Sequence, residues 1–107
     1  MLRREVAHVP PLWELELANV ARTAVKRGAL TDDAARLAMS FVLGLPITVD
    51  RTHVPPERVL SLALTHGLSA YDAAYLELAL RLKLPIAAKD GDLRTAAKKS
   101  GVGLVLA

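Results

Sequence analysis

Leu84-Pro85-Ile86-Ala87-Ala88-Lys89-Asp90-Gly91-Asp92-Leu93-Arg94-Thr95-Ala96-Ala97-Lys98-Lys99-Ser100-Gly101-Val102-Gly103-Leu104-Val105-Leu106 is the stretch whose reading decides the fold. Leu84 to Ala88 is a short apolar run that suits a buried strand. Asp90-Gly91-Asp92 marks a turn, and Leu93 to Ser100 carries helical spacing up to Gly101. Val102 to Leu106 is a second apolar run. Strand, helix and strand in that order predict a βαβ unit with parallel strands, because two parallel strands need a crossover between them. The fold class expected is therefore α/β.

Upstream, helix signals are dense. Ser69-Ala70-Tyr71-Asp72 has the form of a capping box and opens a helix running to about Lys83. Pro55-Pro56 open another through about Thr65, ended by Gly67. Leu45 to Val49 reads as a strand, followed by a turn at Asp50-Arg51-Thr52. Thr31 caps a helix with Asp32 and Asp33 in its first turn, where the dipole favours acids. Its apolar face is read as Ala34, Leu37, Ala38 and Phe41, and Gly44 closes it. Before it, a helix runs from Leu12 to about Arg27 and stops at Gly28. Its apolar side is read as Leu12, Leu15 (or Glu16), Asn19, Val20 and Thr23. Glu5 to Val9, stopped by Pro10-Pro11, fits a strand or a helix lead-in.

Bulk composition narrows the function classes. The 107 residues suit one domain, taken as 1–107, with no repeat or linker. No apolar tract reaches bilayer length, and charge interrupts the start of the chain where a signal peptide needs an apolar run; the expected location is the cytoplasm. Without cysteine there is no disulfide, thiolate nucleophile or cysteine zinc site. His8, His53 and His66 are scattered and lack metal-ligand spacing. A net charge of +3 is compatible with a nucleic-acid partner, but 4% aromatic content argues against a stacking platform for single-stranded RNA.

In open parallel sheets, ligands bind beyond the C-terminal ends of the strands. Asp90 directly follows the Leu84–Ala88 run, Asp92 lies two residues on, and Asp72 opens the preceding helix. Glu16 lies among apolar neighbours on the first helix, three residues before Asn19. A charge on such a face is costly to bury unless it is paired or metal-bound. Three or four carboxylates suit Mg²⁺ or Mn²⁺, hard cations that prefer oxygen and assist phosphodiester cleavage. Each residue also has a plainer reading. Asp72 fits a capping acid and Asp90 a helix cap equally well. Asp92 is better read as a first-turn dipole residue, and Glu14 and Glu16 as facing solvent. Asn19 also fits a core polar group bonded to backbone. Arg94, Lys98 and Lys99 read as a solvated face.

Three segments together resemble PIN-domain nucleases. Val9-Pro10-Pro11-Leu12-Trp13-Glu14-Leu15-Glu16-Leu17-Ala18-Asn19-Val20 is similar to their Pro-x-x-x-x-E-x-A-N helix. Leu68-Ser69-Ala70-Tyr71-Asp72-Ala73-Ala74-Tyr75-Leu76-Glu77-Leu78-Ala79 is similar to their second acidic segment, and residues 84–97 to the third. Order and spacing agree across essentially the whole chain, and the type resembled is the VapC toxin of bacterial toxin–antitoxin pairs. The resemblance implies a three-layer α/β/α, mainly parallel PIN-like fold. It also implies a Mg²⁺- or Mn²⁺-dependent endoribonuclease that cuts RNA, is held inactive by a VapB-like antitoxin and is usually a homodimer. Glu16, Asp72 and Asp90 match the family's catalytic, metal-holding acids, and Asp92 is a weaker match.

Two departures stand out. The family pattern opens with a strand bearing an aspartate, upstream of the Pro-x-x-x-x-E helix, and this sequence starts after that point; the expected fold is thus N-terminally truncated. Ala88 also stands where the family often has Thr or Ser. Fewer acids predict weaker metal binding. An absent strand predicts unpaired edges, filled by a partner copy or by upstream sequence. The rival expectation is a non-catalytic binding or dimerisation module with Leu12, Trp13 and Leu17 as interface anchors, although these residues also suit ordinary core packing.

Overall fold

The computed structural model describes residues 7–87, 91–101 and 104–105, with backbone alone at 86–87, 91–92, 94 and 104–105. They fall into two compact units, divided between Arg51 and Thr52.

The first unit contains β1 (Ala7–Val9), α1 (Leu12–Lys26), α2 (Asp32–Leu43) and β2 (Ile47–Val49). β1 and β2 pair in parallel, Ala7 opposite Ile47 and Val9 opposite Val49, so the two helices form the crossover that parallel pairing requires. Glu5 to Val9 thus resolves as strand over its described part. Pro10 and Pro11 start α1, where a missing N–H costs nothing. Gly28 ends it at φ +75°, a left-handed conformation that glycine adopts without a Cβ clash. Thr31 caps α2 as expected, its Oγ1 accepting from the Ala34 amide at 3.1 Å. Arg51, just past β2, donates to Glu14 on α1 at 2.9 Å. That hydrogen bond, and then the carboxylate charge, raises the Arg51 pKa above the usual arginine value. Glu14 therefore holds an ion pair as well as meeting solvent.

The packed sides of both helices agree with the expected ones at Leu12, Thr23 and Ala34, which are half-buried, and differ elsewhere. On α1, Leu15 and Val20 are exposed, as are Glu16 and Asn19, while Trp13, Leu17, Ala21 and Val25 are half-buried. On α2, Leu37 is 74% and Phe41 72% exposed; Ala35 is buried, with Met39 and Val42 half-buried. The physical reason is that each helix carries apolar residues on two sides, and a 3.6-residue period does not choose between them. Small residues decide it. Ala21 and Ala35 lie on the facing sides of α1 and α2, where short side chains allow close approach, and with Val25 and Met39 they floor a shallow cavity there.

The second unit contains α3 (Pro56–His66), α4 (Ala70–Leu82), β3 (Ile86–Ala87), α5 (Gly91–Lys99) and β4 (Leu104–Val105). β3 and β4 are parallel, Ile86 opposite Leu104, and α5 is their crossover. The βαβ reading of the deciding stretch therefore holds, and the chain is α/β with parallel strands, as a PIN-like fold requires. One detail differs: Gly91 and Asp92 belong to the helix, not to a turn before it. The core joins Ala63, Leu68, Ala73, Leu76, Ala79, Leu93, Ala96 and Ala97, with Val59, Leu62, Tyr75 and Leu80 packed against it. Five alanines in this cluster let α3, α4 and α5 pack closely, and Leu76 is its largest fully buried side chain. Lys83 ends α4 at φ +55°, a strained position for a residue with a Cβ. At the ends of α3 and α5, His66 Nε2 lies 3.2 Å from Ser100 Oγ.

Ser69 caps α4 as its sequence predicts, its Oγ accepting from the Asp72 amide at 3.1 Å. Ser69→Ala is expected to destabilise the chain by about 1 kcal/mol, the usual worth of such a cap. Urea unfolding checks this, and an unchanged midpoint would mean that water replaces the hydroxyl at no cost. No helix among the described residues is long and apolar enough to cross a membrane.

Candidate active site

Asp72 occupies the first turn of α4. The Ser69 cap fixes that turn through the Asp72 backbone amide. The side chain is half-buried. Only Lys83, Leu84 and Pro85 separate α4 from β3, so the helix runs back against the strand. The start of α4 therefore lies at the end of the unit toward which β3 points. The start of α5, which bears Asp92, lies at that same end. These are the positions beyond strand C-termini where α/β folds bind ligands. Helix N-termini also favour negative charge.

Asp90 and Ala88 lie outside the described residues, and Asp92 is placed by its backbone alone. Glu16 sits on α1 in the first unit with its side chain exposed, three residues before an exposed Asn19. The solvent-facing reading of Glu16 holds, and the face bearing Glu16, Asn19 and Val20 is the outward one. No group of three or more histidine, aspartate or glutamate side chains stands close enough to hold a metal among the described residues. The donor chemistry nevertheless fits a hard divalent cation, since every candidate offers carboxylate oxygen and none offers sulfur or imidazole. His8 and His53 are exposed, and His66 is engaged with Ser100. Lys98 and Lys99 are exposed, as a solvated face predicts.

One charged cluster was not anticipated. Glu77, in the middle of α4, is 2% exposed. Arg81, one turn on, clasps it through Nε at 3.0 and 3.2 Å and Nη2 at 3.1 Å. Arg58 of α3 adds a second guanidinium, its Nε 3.5 Å from Glu77 Oε2. The i,i+4 spacing of Glu77 and Arg81 was a usable signal. Its position inside the apolar run Leu76-Glu77-Leu78-Ala79-Leu80 signalled burial as well.

An α/β chain with parallel strand pairs, and an acid in the first turn of the helix packed on β3, is compatible with the PIN-like class. No family model matches the sequence. Two curated relatives do. Ribonuclease VapC1 of Mycobacterium tuberculosis (strains CDC 1551 / Oshkosh and ATCC 25618 / H37Rv) is 29% identical over 98 residues, covering 90% of this chain and 71% of the relative. Ribonuclease VapC12 of the same strains is 32% identical over 94 residues, covering 86% of this chain and 70% of the relative. The chain belongs to the VapC family of PIN-domain nucleases.

Proposed function

We propose that this chain is a toxin-type endoribonuclease dependent on Mg²⁺ or Mn²⁺. The observation that carries the reading is its similarity, over 86–90% of its length, to two proteins named as ribonucleases. In this reading residues 1–107 are one PIN-like domain of the cytoplasm. Glu16, Asp72 and Asp90 hold the metal and Asp92 assists. When bound, the ion supplies Lewis acidity to water and to the phosphodiester. The chain supplies position: the first turn of α4, locked by Ser69, sets Asp72 at the end of the unit where β3 points.

The proposed regulators are a VapB-like antitoxin and a second copy of the chain. Leu15 and Val20 on α1, with Leu37 and Phe41 on α2, are exposed and are the anchors proposed for a protein partner. The same residues favour the second reading, a non-catalytic binding module. For such a module they are better anchors than Leu12, Trp13 and Leu17, which are half-buried.

Cleavage of a labelled structured RNA by the purified chain with Mn²⁺ separates the two readings. The enzyme reading expects cutting that EDTA and Asp90→Asn each remove. No cutting by a chain with intact circular dichroism would select the binding module.

A further inference from the structure

The helical hairpin of the first unit carries a groove with an uneven charge. Residues 27–31 alone join α1 to α2, so the helices run antiparallel and the end of α1 lies beside the start of α2. Between those ends is a cavity of about 290 Å³. Its floor is Ala21, Val25, Ala35 and Met39. Arg22 and Lys26 of α1 stand at its rim, with Asp32 and Arg36 of α2. Asp32 lies 3.7 Å from Arg36, so that pair is neutral as a unit. Arg22 and Lys26 hold no carboxylate among the described residues, and they give the rim its net positive charge.

Helical spacing carries the same stripe beyond the cavity. On α1, Leu15 and Ala18 precede Arg22 and Val25 at steps of three and four, and so share their side of the helix. On α2, Leu43 follows Met39 by one turn. Leu15 is 74% and Leu43 56% exposed, and Ala18 is exposed as well. Antiparallel packing puts the start of α1 beside the end of α2. Leu15 and Leu43 therefore lie at one end of the seam and the unpaired cations at the other. Glu14, next to Leu15, is held by Arg51 and does not offset those cations.

From Leu15 to Lys26 the stripe runs about 16 Å along α1, the length of three helical turns. That is the span of a helix laid in a groove, which such sites read through apolar anchors at steps of three and four. Charge at one end fixes which way round the helix lies. The lining gives nucleic acid little to hold, since no aromatic side chain among the described residues lines the cavity for a base to stack on.

We infer that the α1–α2 seam docks an acidic, amphipathic helix of a partner protein, with apolar residues of that helix on Leu15 and Leu43 and its carboxylates on Arg22 and Lys26. The inference deepens the proposed protein regulation by naming the regulator's charge and polarity, and rests on that reading for the partner's being a protein. Leu37 and Phe41 lie on the other side of α2 from Ala35, off the seam, and are left to the second copy of the chain.

The probe is a fluorescein-labelled synthetic helix with glutamates in its first turns, where the dipole favours them, and leucines one turn apart in its last. Anisotropy with the full chain is expected to show saturable binding that weakens with salt. Arg22→Gln combined with Lys26→Gln should weaken binding about tenfold, the worth of two exposed charge contacts, and remove most of the salt dependence. Leu15→Ser should weaken it to the same degree at every salt concentration. All three positions are exposed, so these variants keep the fold. Lys98→Gln, an exposed cation of the second unit, should change nothing. A peptide with lysine for every glutamate should not bind. Absence of saturable binding, equal affinity for the lysine peptide, or native affinity in the double variant would each overturn the inference. If the double variant kept the peptide but lost a fluorescent single-stranded RNA, the rim would belong to nucleic acid and the inference would fall. Cleavage with Mn²⁺ is scored separately. A chain that cuts RNA but ignores the peptide would sink this inference alone, and one that holds the peptide without cutting would sink the nuclease reading alone.

Discussion

Asp72→Asn is expected to lower RNA cleavage by on the order of 10²–10³-fold while barely moving the thermal midpoint. The loss follows from the proposed metal site. Divalent-metal stabilisation of a phosphodiester transition state is worth several kcal/mol, and each ~1.4 kcal/mol is tenfold in rate. Asparagine keeps the size and one carbonyl oxygen but removes the charge that holds a hard cation. The small effect on stability follows from the observed cap. Ser69 Oγ accepts from the backbone amide of residue 72, and that bond survives the substitution. The charge–dipole contact that is lost is worth about 0.5 kcal/mol. A cleavage assay paired with a melting curve checks both halves. Undiminished cutting would remove Asp72 from the catalytic acids, and a collapse of the melting curve would make it a structural residue.

Arg81→Ala is expected to be the most damaging single change to stability, costing about 3–5 kcal/mol. Glu77 is 2% exposed, and Arg81 is the residue that clasps it. Without that guanidinium a buried carboxylate is left facing Arg58 at 3.5 Å, so the cost is that of a poorly paired internal charge. A small domain has only about 5–15 kcal/mol in total, so urea unfolding should show a large loss. The paired replacement Glu77→Leu with Arg81→Met should recover most of it, because well-packed apolar residues often match or exceed a buried ion pair. If Arg81→Ala cost less than about 1 kcal/mol, Glu77 would have to be reaching water.

Local chemistry made most elements legible. Thr31 and Ser69 announce helix starts because their hydroxyls satisfy amides that the helix leaves unbonded. Gly28 and Gly67 announce ends because both adopt positive φ. The deciding stretch gave its strand–helix–strand order because its apolar runs are short and separated by glycine and aspartate. Orientation was harder to read. Leu37 and Phe41 look like core in sequence, and only the packing of α1 against α2 through Ala21 and Ala35 turns them outward. The buried ion cluster was missed because half of its logic is tertiary. Glu77 is affordable inside the second unit only with Arg81 beside it and Arg58 supplied by another helix. Of the candidate site, Asp72 was legible from its helix-start pattern. The exposure of Glu16 was legible too, as a charge that is costly to bury, whereas the exposure of Leu15 and Val20 on the same helix was not.

The division between Arg51 and Thr52 bears on how the chain is made. Each unit draws both partners of its parallel strand pair from its own contiguous sequence. Once residue 49 has left the ribosome, everything needed to join β1 to β2 is present, and nothing from the second half is required. Synthesis proceeds at about 5–20 residues per second, leaving seconds before β4 is complete. Parallel pairing is slow to form because its crossover must close first. Translation therefore gives the first strand pair a head start, in which no competing strand from the second half exists to mispair with it.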